Sequence, residues 1–252
     1  MVLRISNRMR LSNNKVLITG GSKGIGLALA KRFLALDNTV IIAARKLEDL
    51  KRVKAECPEI VIYQTDLGRR EDLEGLSNFI KKEHADTNVL INNAGIQFNY
   101  SFLKEHDLSQ KIDEELAINL SAPMHLTANL LSLLESNDNS AIVNISSVLG
   151  MVPKAGAPVY CSSKAGLHIF TKSIRYQLKN TKVFEVIPPL VDTSMTKGRG
   201  KGKMSPEMLV EAFIKSFEKD RFEISLGKVK LLRFLQRVSP KLADKIMHGS
   251  AD

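Results

Sequence analysis

The stretch Lys15-Val16-Leu17-Ile18-Thr19-Gly20-Gly21-Ser22-Lys23-Gly24-Ile25-Gly26 decides how this chain is read. Residues 15–19 form a short apolar run that stops at glycine, and residues 27–34 continue with helical spacing and a small-residue face. Strand, glycine turn and helix is the context in which such a turn holds a phosphate. Glycines at 20, 24 and 26 allow close backbone approach, and the helix N-terminus favours negative charge. The spacing is G-x-x-x-G-x-G, distinct from the G-x-G-x-x-G form.

The same alternation continues outward. A second buried strand, 39–44, delivers Arg45 at its carboxyl end, before a helix at 46–57 that Pro58 ends. An NAD-preferring site places an acid there to hold the ribose hydroxyls. Arg45 and Lys23 are instead two cations with no acid, which suits a 2′-phosphate. NADP(H) is therefore the preferred cofactor and NAD(H) the alternative. A third strand, 60–65, ends at Asp66-Leu67, where the aspartate either accepts from an adenine amino group or caps the helix at 70–84. A fourth, 88–91, runs into Asn92-Asn93-Ala94-Gly95, whose small residues let a ligand come close. The repeated pattern predicts an α/β fold, a doubly wound parallel sheet with helices on both faces and ligands at the strands' carboxyl ends.

Residues 96–110 read as a loop whose Gln97, Phe98 and Tyr100 line a substrate pocket with Leu149, Val152 and Leu190. That set is mostly apolar and implies a hydrophobic or medium-sized substrate. A helix at 110–122 carries Asn119, and a Leu-rich helix at 124–135 follows Pro123. The strand 141–145 delivers Ser146 and Ser147 to the sheet edge, and Tyr160 and Lys164 then fall one helical turn apart. A phenol titrates near pH 10, and an adjacent ammonium is expected to pull that value down. Cys161, next to Tyr160, points about 100° away and is read as a buried structural thiol. A strand at 182–187 ends at Pro188-Pro189.

Residues 193–203 are polar, glycine-rich and basic, and the region 193–219 is read as a mobile substrate flap, with a helix starting at Ser205-Pro206. A last strand is expected at 222–229 and a helical tail at 230–252, interrupted by Pro240. Residues 1–13 are read as a flexible basic leader, and 14–252 as one domain.

Length and composition agree with a single domain: 252 residues, 44% hydrophobic and 25% charged. The longest apolar runs are far shorter than a membrane span, and two cysteines make no disulfide framework. The expected setting is the cytoplasm, and no metal-ligand set is assigned. The formal charge of +10 is concentrated at the ends. Residues 1–13 hold three basic and no acidic residues, 14–194 hold 21 and 20, and 195–252 hold 13 and 7. With no interleaved aromatics or binding motif in the basic end, nucleic acid is not an expected partner. The tail mixes apolar and basic residues in a way that packing on the subunit, or on a partner subunit, explains better than a membrane surface.

These motifs, in this order, resemble the short-chain dehydrogenase/reductase family over residues 15–193. Thr19-Gly20 through Gly24-Ile25-Gly26 is similar to its TGxxxGIG turn, and Asn92 to Gly95 to its NNAG element. Asn119, Ser147, Tyr160 and Lys164 are similar to its catalytic tetrad. Tyr160-Cys161, the Pro188-Pro189 doublet and residues 227–232 resemble a bacterial branch of DltE type. Most members have Pro-Gly where this chain has Pro188-Pro189, which removes an N–H from the nicotinamide side.

The resemblance implies a Rossmann-type NADP-dependent oxidoreductase that interconverts a carbonyl and a secondary alcohol on a small molecule. Tyr160 would transfer the proton, and Lys164 would lower its pKa and hold the ribose. Ser147 would stabilise the oxygen, and Asn119 would bind a water leading from Lys164 to solvent. Gly20, Ser22, Lys23, Gly24, Ile25, Gly26, Arg45, Asp66, Leu67, Asn93, Ala94 and Gly95 would hold the cofactor, with Pro188, Val191, Thr193, Tyr160 and Lys164 at its nicotinamide end. A homodimer or homotetramer is implied through the helices carrying Asn119 and Tyr160. The alternative reading is a regulator that senses NADP redox state without turnover.

Overall fold

The computed structural model describes residues 8–243. Seven strands form one parallel sheet: β1 (Lys15–Thr19), β2 (Thr39–Ala44), β3 (Val61–Gln64), β4 (Val89–Asn92), β5 (Ser140–Ile145), β6 (Thr181–Ile187) and β7 (Glu223–Ser225). Their order is β3-β2-β1-β4-β5-β6-β7, so the chain reverses direction across the sheet between β1 and β4. A crevice opens at the carboxyl ends of strands at such a switch point.

The strands are mostly apolar because helices cover both faces. Val16, Ile18, Ile42, Val143 and Phe184 pack against α1 (Gly24–Leu34), α2 (Leu47–Glu56) and α7 (Pro206–Phe217), through Phe33, Leu50, Phe213 and Phe217. Leu17, Ile41, Leu90, Ile142 and Val183 point the other way. They meet α3 (Arg70–Glu83), α5 (Ala122–Ser136) and α6 (Pro158–Gln177).

On that second face the apolar pattern gives way to one polar row. Asn92, Asn144, Glu185 and Glu223 are in register on neighbouring strands and share a face. Asn92 Nδ2 donates to Asn144 Oδ1 at 2.8 Å, and Asn144 Nδ2 donates to Thr171 Oγ1 on α6 at 2.9 Å. The fully buried Glu185 carboxylate takes His168 Nδ1, also on α6, at 2.8 and 3.0 Å. Glu223 meets Arg175 of α6 and Arg233 of α8 (Lys228–Val238). Asn92 Oδ1 has no partner among the described residues, while Asn144, Glu185 and Glu223 each hold a side chain of α6, and these three contacts set how α6 lies on the sheet.

Five expectations change. The helices expected at 110–122 and 124–135 are one continuous element: α4 (Leu108–Leu116), a π-helical turn (Ala117–Ser121) and α5. Pro123 has no N–H and would crowd the carbonyl four residues back, and the wide turn just before it removes that conflict. The last strand spans only Glu223–Ser225, because Gly227 turns the chain at φ +55° and α8 starts at once. The helical tail therefore begins earlier than expected, and its part beyond 243 lies outside the described residues.

The leader is not loose at 8–13. Met9 is buried in the core, and Asn139 accepts from Arg10 N at 2.8 Å and donates to Arg8 O at 3.1 Å. Its residues 1–7 lie outside the described residues. Within 193–219, α7 is a core helix with Leu209, Val210, Phe213, Ile214 and Phe217 buried. Only 192–203 forms a surface loop, closed at its base by the Val191–Met204 bridge.

Replacing His168 by Ala should leave the Glu185 carboxylate buried without a partner. Breaking such a pair costs roughly 3–5 kcal/mol, so the urea midpoint should fall markedly. An unchanged midpoint would mean that the row does not hold α6 in place.

Candidate active site

The turn after β1 is built around two glycines. A Cβ on Gly26 would lie 2.2 Å from the Gly20 carbonyl oxygen, and Gly20, at φ +66°, lies against Ala94. Thr19 ties the turn to the loop after β4: its Oγ1 accepts from Asn93 N and Ala94 N at 3.0 and 3.1 Å. Asn93 Nδ2 donates back to Thr19 O at 2.8 Å. The two loops thus open one cleft at the switch point, with the N-terminus of α1 in its floor. The first amides of a helix have no intrahelical partner and suit a phosphate.

Gly20, Lys23, Gly24, Ile25 and Gly26 line this cleft, and so do Arg45, Asp66, Leu67, Asn93, Ala94, Gly95 and Thr193. Ser22 is buried and does not line it, while Pro188 and Val191 line an adjoining cleft. Sequence reading passed over Ala44, Thr65, Ile118 and Met195, which also form the cleft wall, because small and apolar side chains carry no chemical signature.

The two cations at its rim do have acidic neighbours. Lys23 Nζ lies 2.7 Å from Asp49 on α2, and this contact pulls the Asp49 carboxyl below its usual range. Arg45 is half exposed, with Glu114 of α4 at 3.5 Å. The acid-free setting read from the sequence is thereby corrected, because helices after the turn bring both carboxylates back over it.

Tyr160 and Lys164 are both buried on α6. Lys164 Nζ donates to Ile145 O at 2.8 Å and stands 5.9 Å from the centre of the Tyr160 ring. Burial lowers the Lys164 ammonium to about 8, with Glu185 opposing the shift. The phenol moves against expectation, up to about 12, because burial disfavours the phenolate. The Ser147 hydroxyl and the charge of Arg199 oppose that rise, and Lys164, turned to the sheet edge, is not among its causes. In this arrangement the Tyr160 phenol rests as an acid with its proton in place.

Asn119 sits in the π-helical turn. Its Oδ1 accepts from Ile96 N at 2.8 Å, and its Nδ2 donates to Ile96 O at 2.8 Å and to Ser163 Oγ at 3.2 Å. Both amide donors are engaged, so a water would find only the remaining lone pair of the oxygen. A Cβ on Gly95 would fall 3.2 Å from that oxygen and 3.5 Å from Lys164 Nζ, so the glycine keeps the space between them clear.

The adjoining cleft has a volume of about 560 Å³ and contains Ser147, Tyr160, Gln97, Leu149 and Leu190. Val152 is fully buried elsewhere, and neither Phe98 nor Tyr100 lines the cleft. Their loop is instead held by Glu115, a buried carboxylate on α4 that accepts from Phe98 N at 2.9 Å and from Tyr100 OH at 3.3 Å. Burial raises the Glu115 carboxyl. The expected apolar pocket is corrected to a mixed one, because Asn99, Lys154 and Arg199 also line it. Cys161 is a buried anchor, with its Sγ 3.3 Å from Lys154 N.

The family model described as short chain dehydrogenase matches residues 14–203. The uncharacterized oxidoreductase DltE of Bacillus subtilis strain 168 is 40% identical over 233 residues, covering 89% of this chain and 92% of that one. A short chain dehydrogenase from Burkholderia cenocepacia J2315, solved in complex with NADP, is 23% identical at a TM-score of 0.85 and covers 95% and 99% of the two chains. One from Sphingobium yanoikuyae, in complex with NADPH, is 25% identical at a TM-score of 0.80, with 91% and 94% covered. This chain belongs to the short-chain dehydrogenase/reductase family of oxidoreductases, in the branch that includes the Bacillus DltE protein.

Proposed function

We propose that the chain is an NADP(H)-dependent oxidoreductase that interconverts a carbonyl and a secondary alcohol, and that it works as a reductase at neutral pH. One observation carries this reading. The glycine-turn cleft and the cleft containing Tyr160 and Ser147 share Ile25, Thr193 and Met195 as a common wall. A nicotinamide cofactor fits the first, where Gly20 and Gly26 leave no room for side chains and α1 presents its amides.

The bound cofactor supplies the hydride. Tyr160 gives its proton to the carbonyl oxygen, and a phenol that holds its proton up to about pH 12 is ready for that direction. Ser147 donates a hydrogen bond to the same oxygen and stabilises the charge that develops there. Lys164, near 8, is poised to return a proton to the phenolate. Asn119 positions Ile96 and, through Ser163, the turn of α6 that carries Tyr160.

Arg45 supports the NADP preference, since it is the less tightly paired of the two cations. For the assembly we infer a homodimer or homotetramer through α4, α5 and α6. Ile169 and Tyr176 on α6 are 60% and 80% exposed. No helix among the described residues is long and apolar enough to cross a membrane, and a cytoplasmic setting fits two free cysteines.

With a ketone that the wild type reduces, Tyr160→Phe should cut turnover by ~10²–10⁴-fold while NADPH binding, read by nucleotide fluorescence, stays intact. Reduction by Tyr160→Phe at the wild-type rate would remove Tyr160 from the mechanism. Arg45→Ala should weaken NADPH binding about tenfold, ~1.4 kcal/mol, and leave NADH nearly unaffected; equal losses for both would sink the 2′-phosphate assignment. The sign of the pH effect follows from Lys164, which holds its proton below about 8 and loses it above. The reduction rate should therefore hold at neutral pH and fall as pH rises through that value; a flat profile would contradict the proton-return role.

A further inference from the structure

The mixed character of the Tyr160 cleft has a pattern of its own. Two cations, Lys154 and Arg199, line it, and no carboxylate does. Neither cation has a carboxylate within ion-pair distance among the described residues, although most other cations near the two clefts do: Lys23 with Asp49, Arg45 with Glu114 and Lys203 with Asp192. The nearby Glu115 is spent behind the loop on Phe98 and Tyr100. Both Lys154 and Arg199 are half-buried.

Their placement is built from several directions. Lys154 has its backbone N and O on Cys161 Sγ at 3.3 and 3.9 Å, and Ala157 N donates to its carbonyl at 3.1 Å. Arg199 N donates to Thr196 O at 3.0 Å. The Asn99 amide lies 3.0 and 3.2 Å from the Arg199 guanidinium, and with its oxygen turned that way it accepts from both Nη2 and Nε. Asn99 thus spans from the loop after β4 to the 192–203 loop and holds Arg199 over the cleft. Arg199 is also close enough to Tyr160 to favour its phenolate, so its charge is felt at the reacting group.

A cleft with apolar walls and cations of one sign focuses its field on an incoming anion. A guanidinium offers paired donors that match a carboxylate or phosphate. We propose that the substrate is a carbonyl compound bearing an oxyanion, a carboxylate or a phosphate, which Arg199 and Lys154 hold while Tyr160 and Ser147 engage the carbonyl oxygen. The inference rests on the reading of this cleft as a carbonyl site. It adds the substrate class that the sequence alone, with its apolar pocket residues, had pointed away from.

The test uses the full chain saturated with NADPH and three ligands with one carbon skeleton: a medium-chain oxo acid, its methyl ester and the corresponding oxo-alkyl phosphate. Calorimetry reads binding whether or not turnover occurs, and NADPH oxidation is followed separately. At least one anion should bind about tenfold or more tightly than the ester, the gain shrinking as salt rises. The double variant Lys154→Gln, Arg199→Gln should lose that gain, with ester and NADPH affinities nearly unchanged. Equal binding of all three ligands, or a preference that survives in the double variant, overturns the proposal. So does a double variant that loses NADPH instead, since the cations would then serve the cofactor. Anion-selective binding without NADPH oxidation would keep the anion site and reject the reductase reading.

Discussion

A lysine ammonium buried under the carboxyl edge of the sheet is the constraint on which the site depends. Lys164 is 4% exposed, and its hydrogen bond is to the Ile145 carbonyl rather than to a carboxylate. Burying a charge with so little compensation is costly unless the surroundings are arranged for it. Here the arrangement is distributed. Glu185 favours the charge from β6, Gly95 leaves space beside Nζ, and a Cβ on Gly150 would come within 2.6 Å of the Lys164 backbone. A side chain at Gly150 would force its loop away from α6. The polar row across β4, β5, β6 and β7 then fixes the depth at which α6 carries Lys164 and Tyr160.

The π-helical turn at Ala117–Ser121 has a comparable role on the other side. It carries Asn119 next to Gly95, and Asn119 ties the loop after β4 to α6 through Ile96 and Ser163. That same loop is tied to the glycine turn through Thr19 and Asn93. The glycine turn, the loop after β4 and the turn of α6 that carries Tyr160 are therefore joined by a short chain of side-chain hydrogen bonds. Such bonds are directional, which makes the relative position of the two clefts a property of the backbone.

Above this rigid floor the cleft is walled by three loops, 96–107, 148–157 and 192–203, and their pairing is polar. Tyr100 N donates to Gly156 O, and Asn99 meets Arg199. Variation in these loops can change what enters the cleft, while Tyr160 and Lys164 hang from α6 and Ser147 follows β5.

Much of this was legible in the chain itself. The strands were readable because apolar runs bounded by glycine, proline and polar turns report burial on both faces. The glycine turn was readable because only glycine accepts Gly20 at positive φ against Ala94, and Asn119, Ser147, Tyr160 and Lys164 stood in recognisable spacing. Some local features were not legible: Pro123 split one helix into two and hid the π turn before it, and β7 is too short to separate from α8. What only the tertiary structure decided is which charges meet and how deeply each group is buried. Asp49 at Lys23, Glu185 at His168 and Arg199 at Asn99 bring together residues 17 to 100 positions apart. The Tyr160 phenol rises where an adjacent lysine alone would lower it. Periodicity and turn chemistry act between near neighbours and can be read along the chain, whereas desolvation and Coulomb terms depend on distances that exist only once it has folded.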